Sequence, residues 1–151
     1  MDNNIKILDE LSKIQIEQLH NITLSISKQS FEIKKLYIIS LTTLISIFSL
    51  KNINILFLGC LTTTFLFYIV DSFLYFYQRT LRNKMIIEEN KIYERNKIEN
   101  INFRDSLPKT NLCSAFFNSS QIIYYIIFSI LIFSLILKII FIKYIVIGVI
   151  L

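Results

Sequence analysis

Few residues of this chain have the chemistry for catalysis. His20 is the sole histidine, and Cys60 and Cys113 are the two cysteines. A structural zinc site takes four Cys or His ligands, and a nucleophilic triad needs a base held beside its Ser or Cys. One His and two distant Cys meet neither requirement, so the sequence predicts no metal, no cofactor and no enzyme. Cys60 falls in an apolar run and Cys113 in a polar one, which disfavours a bridge between them. Two other features carry chemical interest. Asp71 is a carboxylate inside an apolar run, where a charge is costly and a role or a partner is the default reading. Arg79, Arg82 and Arg95 follow it, guanidinium donors suited to an anion such as phosphate.

The elements that must position these groups are read from the distribution of apolar residues. Hydrophobic residues make up 54% of the 151. They come in long unbroken runs, the signature of membrane spans. Two Gly and one Pro leave few breaks, so long continuous helices are predicted. Trp is absent, leaving Tyr as the aromatic for the interface. The abundance of Ile, Asn, Lys and Phe points to an AT-rich bacterial or phage genome. The predicted fold class is all-α, an integral membrane protein of three transmembrane helices with long cytosolic helical extensions, assembled as a homo-oligomeric bundle.

Residues 1–35 are polar and hold no apolar h-region near Met1, so a cleaved signal peptide is not expected. Ile7, Leu8, Leu11, Ile14, Leu19, Ile22 and Ile26 recur mostly every three or four residues, an amphipathic cytosolic helix. After Leu19 the pattern partly alternates. Residues 36–77 read as a transmembrane hairpin, its spans Leu36–Leu50 and Ile55–Tyr77 parted by Lys51-Asn52-Ile53-Asn54. Residues 78–115 carry eight Lys/Arg against five Asp/Glu and read as a cytosolic helix broken at Leu107-Pro108. Residues 116–151 hold a third span, from about Phe116 to Leu137, and an apolar tail with Lys138 and Lys143. That tail either prolongs the helix or folds back along the interface. Basic residues flanking the spans place the N-terminus and residues 78–115 in the cytoplasm, in a multi-pass protein of the bacterial inner membrane.

Within this frame each candidate has two readings. Asp71 sits near the cytoplasmic end of its span, at the depth the hairpin gives Lys34 and Lys35. The three form either a structural clasp or part of an ion path. Gln121, Tyr125 and Ser129 recur every four residues on the third span, Ser40, Thr43, Ser46 and Ser49 stripe the first, and Gly59 and Thr63 are a small pair on the second. Such stripes serve helix packing, or line a pore among several copies. Arg79, Arg82 and Arg95 serve topology, or contact an anionic ligand or lipid headgroups. Leu8, Leu11, Leu19 and Ile22 form the apolar face of the N-terminal helix, the natural contact for a cytosolic partner.

Three short stretches carry a family resemblance: Ser30-Phe31-Glu32-Ile33-Lys34, then Asp71-Ser72-Phe73-Leu74 with Arg79-Thr80-Leu81-Arg82, then Phe116-Phe117-Asn118 with Tyr125. Together, over residues 20–137, they resemble a group of small bacterial membrane proteins with SFxxK, LDxYFLxxERxFR and FFSxT patterns. Gln78 stands where that group has Glu, Leu36 near its Trp, and Tyr68 at its aromatic before the Asp. The resemblance implies a membrane effector of anti-phage defence, encoded beside a nucleotidyltransferase as in Hailong-type systems and related two-span effector domains. It implies cytosolic helices that sense a nucleotide or short DNA product, and spans that form an oligomeric pore in abortive infection. The alternative is a structural membrane anchor, or adaptor, that recruits a cytosolic partner through the N-terminal helix.

Overall fold

The computed structural model describes residues 3–48, 53–96 and 111–150, and among them every regular element is helical. Helix α1 is Asn3–Phe48 and α2 is Ile53–Arg95. A five-residue helix, α3, covers Leu112–Phe116, and after a 3-10 turn at Ser119–Gln121 the last helix, α4, runs Ile122–Ile150. Neither α1 nor α2 breaks where its sequence changes from polar to apolar. Without Gly or Pro at those points the i to i−4 ladder simply continues. The partial alternation after Leu19 does not interrupt α1 either, and the apolar tail prolongs α4. The third apolar helix begins later than hydropathy alone suggests. Asn118 adopts an extended conformation and its side chain accepts from the Ser120 amide, so it caps the turn and separates α3 from α4. Lys51, Asn52, Leu107, Pro108 and Lys109 lie outside the described residues.

The chain divides into two compact units: 1–33 with 71–116, and 34–70 with 117–151. The first, the polar unit, pairs the N-terminal part of α1 antiparallel with the C-terminal part of α2. Its seam on α1 is Asp9, Ser12, Ile16, Leu19, Thr23, Ile26 and Ser30, all buried or half-buried at alternating three- and four-residue steps. That repeat keeps one stripe on a partner helix, as in a coiled coil. The second, the apolar unit, gathers α4 with the remaining parts of α1 and α2. Tyr37, Leu41, Cys60 and Tyr124 form its buried centre, with Phe67, Tyr68 and Leu131 packed around them.

Burial in this protein is inverted relative to a water-soluble domain. Among the described residues, Asp9, Ser12, Thr23, Thr64, Asp71, Ser72 and Gln121 are buried, against five hydrophobic side chains. Outside lie Phe133 at 62% exposure, Ile130 at 60% and Phe141 at 67%. Water would penalise each such side chain by about 1.5–3 kcal/mol. Two helices, Ile53–Arg95 and Ser119–Phe141, are long and apolar enough to cross a membrane. Only 11% and 6% of their most apolar stretches are buried within the chain. A core helix of a soluble protein would be mostly buried, so the outer faces of these two are suited to an apolar solvent.

Candidate functional site

The polar unit is closed at its far end by Arg95. Its Nε donates to Asp9 Oδ1 at 2.9 Å and its Nη2 to Ser12 Oγ at 2.7 Å, while Asn96 Nδ2 donates to Asp9 Oδ2 at 2.6 Å. The Asn96 amide first, and the Arg95 guanidinium after it, hold the Asp9 carboxyl below its ordinary 3.8. A carboxyl with a lowered folded value lends stability that is complete above the unfolded value and vanishes as pH falls through the folded one. The protection factor at Ile92–Asn96, with the intrinsic pH dependence of exchange divided out, is therefore expected to hold from neutral pH down to the carboxylate range and then to fall below 3.8. Asp9→Asn should show low protection at every pH. Equal protection in both proteins at pH 7 would contradict the tie.

Toward the other end, Asp71 is buried and accepts a hydrogen bond from Ser30 Oγ. Arg79 Nη1 donates to Ser114 Oγ at 3.0 Å, and that hydroxyl donates to Asn111 O, fastening α3 to α2. Between these anchors lies a groove of about 330 Å³, with Arg82, His20, Gln78, Glu89, Thr23 and Ser27 as its polar groups and Leu24, Met85 and Ile86 as its apolar wall. This is the small end of the range for ligand pockets. Of the three arginines expected to meet an anion, Arg82 lines the groove, whereas Arg79 and Arg95 hold helices together. Glu89 was not singled out in the sequence, and His20 and Gln78 were named there for other reasons, as the sole histidine and as a departure from the family pattern. The seam spacing that places them becomes readable only once α1 and α2 are known to be antiparallel.

In the apolar unit the polar groups are largely satisfied by neighbours on the same helix. Ser40, Thr43 and Ser46 donate to the carbonyls of Leu36, Ile39 and Thr42, and Ser129 to that of Tyr125. A hydroxyl so engaged can lie against lipid without leaving a proton unmet. Tyr37 and Thr64 share a hydrogen bond at 3.0 Å at the centre of the unit, where Tyr37 also lies 4.9 Å from the Tyr124 ring. Lys34 donates to Ser120 Oγ at 2.9 Å. Lys35 is exposed. A Cβ at Gly59 would meet Leu44 at 3.8 Å, an ordinary contact, so no unusually close helix approach depends on this glycine.

The three pore-lining candidates differ in burial within one copy of the chain. Gln121 is fully buried, Tyr125 half-covered beside Tyr68, and Ser129 exposed. Neither end of the Gln121 amide has a hydrogen-bond partner among the described residues. Burying an unpaired amide costs about 1–3 kcal/mol. Gln121→Leu keeps the volume and removes that cost, so unfolding in detergent should show a gain of about that size. A loss would mean that the amide is bonded in the membrane. Cys60 is buried, Cys113 exposed, and both are free.

No family model, curated relative or solved structure matches this chain. What it does must therefore be argued from its own side chains. The groove can receive a small anion through Arg82 and His20. The inverted burial fits lipid. The outward residues Leu8, Leu11 and Ile22, at 47%, 57% and 48% exposure, leave one face of α1 open, with Leu19 half-buried beside it.

Proposed function

We propose that this chain is one subunit of a homo-oligomeric membrane effector, an ion-conducting assembly that opens when a nucleotide-class anion binds the polar unit. In this reading the span Leu36–Leu50, lengthened by residues that flank it, adds a third crossing to the two apolar helices. The N-terminus and residues 78–115 face the bacterial cytoplasm. The observation that carries the reading is where each unit puts its side chains: the apolar unit turns Ile130, Phe133 and Phe141 outward around a mostly hydrophobic centre, and the polar unit buries Asp9, Ser12, Thr23, Asp71 and Ser72. In the apolar unit the outer face suits lipid. In the polar unit Leu8 and Leu11 cannot face lipid and water at once, and a neighbouring protein surface satisfies them. Gln121 supports conduction, because an amide kept buried and unpaired at a cost marks a place where polarity matters. The groove at Arg82 supports ligand control. Depolarisation of an infected cell is the service such an assembly would give in anti-phage defence, with a partner nucleotidyltransferase as the source of a nucleotide or short DNA ligand.

Ion flux from dye-loaded proteoliposomes tests this. The expected result is a permeability increase on adding a nucleotide or short oligonucleotide, lost in Arg82→Ala. A sized oligomer that stays closed to every such ligand would end the channel reading.

A second reading, an anchor that recruits a cytosolic partner, is favoured by the same open face at Leu8, Leu11, Leu19 and Ile22. Cross-linking in native membranes separates the two. A ladder of this chain alone supports the effector, and a one-to-one heteromer supports the anchor.

A further inference from the structure

The two helices of the polar unit each turn a second stripe away from their shared seam, and the stripes match. On α1, Glu10, Ile14 and Glu17 are exposed, spaced four and three. On α2, Lys91, Ile87 and Lys84 are exposed, and read backwards along the chain they too are spaced four and three. At 100° per residue, Ile14 lies nearly opposite the seam position Asp9, and Ile87 lies opposite the groove residues Gln78, Arg82 and Glu89. The stripes therefore stand on opposite outer faces of the unit. Lys6 and Lys13 lie on the far side of the glutamates from Ile14, away from the apolar stripe.

Register makes the match specific. Asp9 meets Arg95 and Ser30 meets Asp71, so residues rising along α1 level with residues falling along α2. Copies in a closed ring are related by rotation with no shift along its axis. If the helices run along that axis, the levels held within one chain are kept between chains. Glu10 then comes between Lys91 and exposed Glu94, the next residue along the same face of α2, while Ile14 comes to Ile87 and Glu17 to Lys84, each to within one helical turn. Two glutamates thus meet two lysines and one glutamate around an apolar centre, a net attraction.

We propose that the α1 stripe of one copy docks on the α2 stripe of the next, a head-to-tail contact that closes the polar units into a ring. The occupant of each face is a second copy of this chain, chosen by charge. Two like copies of α1 would set glutamates beside glutamates, so the contact is heterologous and not a two-fold dimer. Lys91 also pairs with Glu88 of its own chain at 2.6 Å, an exposed pair that a neighbour's glutamate can share. The inference rests on the homo-oligomer reading and adds the interface.

Charge exchange tests it in detergent or nanodiscs, with particle mass as the readout. Glu10→Lys/Glu17→Lys should lose the oligomer, as should Lys84→Glu/Lys91→Glu. Mixing the two double variants should restore a ring with an even number of subunits, because each then meets only its complement. Restoration on mixing also rules out misfolding as the cause of the loss. In the intact assembly, Ile14→Cys with Ile87→Cys should give an inter-chain disulfide ladder. An oligomer indifferent to all four charges overturns the interface and leaves the oligomer reading standing. A wild-type monomer overturns both. Capture of a different protein by a cross-linker at Ile14 overturns the interface in favour of the anchor.

Discussion

Tyr124→Ala is expected to destabilise the apolar unit by about 2–3 kcal/mol, the cavity part of the cost of removing a large buried aromatic, roughly 24 cal/mol per Å³ of void. The Tyr124 side chain is fully buried, with Tyr37 at 4.9 Å and Tyr68 at 6.0 Å between ring centroids. Helices in lipid gain nothing by hiding apolar surface from each other, because the lipid is equally apolar. Their association rests on van der Waals fit and interhelical hydrogen bonds. A void at Tyr124 would thus remove what holds α4 to the central tyrosines. Tyr37→Phe is the control, since it keeps the ring and loses only the bond to Thr64. Interhelical bonds in membranes average about 0.6 kcal/mol, so the two variants should differ several-fold. Denaturation in mixed detergent, followed by helicity, gives both numbers. Near-equal losses would mean that the aromatic cluster does not organise the unit.

Phe133→Arg is the second large effect, and its sign separates two solvents. Phe133 is 62% exposed, on a helix only 6% buried across its apolar stretch. In water, replacing such a residue by Arg would be neutral within about 0.5 kcal/mol. In a bilayer, a central Arg raises the cost of insertion by about 2.5–3.5 kcal/mol. The expected outcome is loss of α4 from the membrane, seen when a C-terminal glycosylation or alkylation tag fails to cross. Normal insertion and wild-type accumulation of Phe133→Arg would show that this face of α4 does not meet lipid.

Much of the architecture could be read from local pattern. Runs such as Ile55–Tyr77 and the one from about Phe116 to Leu137 are long and uniform enough to cross a membrane as helices, and the scarcity of Gly and Pro carries α2 through to Arg95. The site was less legible, for a physical reason. Function here depends on which face of one helix meets which face of another, and hydropathy locates a helix without rotating it. The polar stretch of α1 reads as an amphipathic helix with Leu8, Leu11, Leu19 and Ile22 as its contact face. The fold leaves Leu8, Leu11 and Ile22 open for an outside partner, but it also turns Asp9, Ser12 and Thr23 onto α2, a seam that hydropathy does not show. The clue was the heptad spacing from Asp9 to Ser30, masked because half its positions are polar. Arg95 shows the same limit. From sequence it is one more cation beside a membrane, and only its geometry with Asp9 and Ser12 makes it a clamp. Gln121 has the reverse character. It falls in step with Tyr125 and Ser129 along the chain, yet burial singles it out from both.

The measurement closest to the central claim is collisional access at the outer face of α4. A nitroxide placed at Phe133, in a chain whose Cys60 and Cys113 have been replaced, reports what surrounds that side chain in proteoliposomes. Frequent collisions with dissolved oxygen and almost none with a water-soluble nickel chelate are expected, the reverse of a label at exposed Lys13. Nickel access at Phe133 equal to that at Lys13 would place α4 in water and contradict the membrane reading at its root.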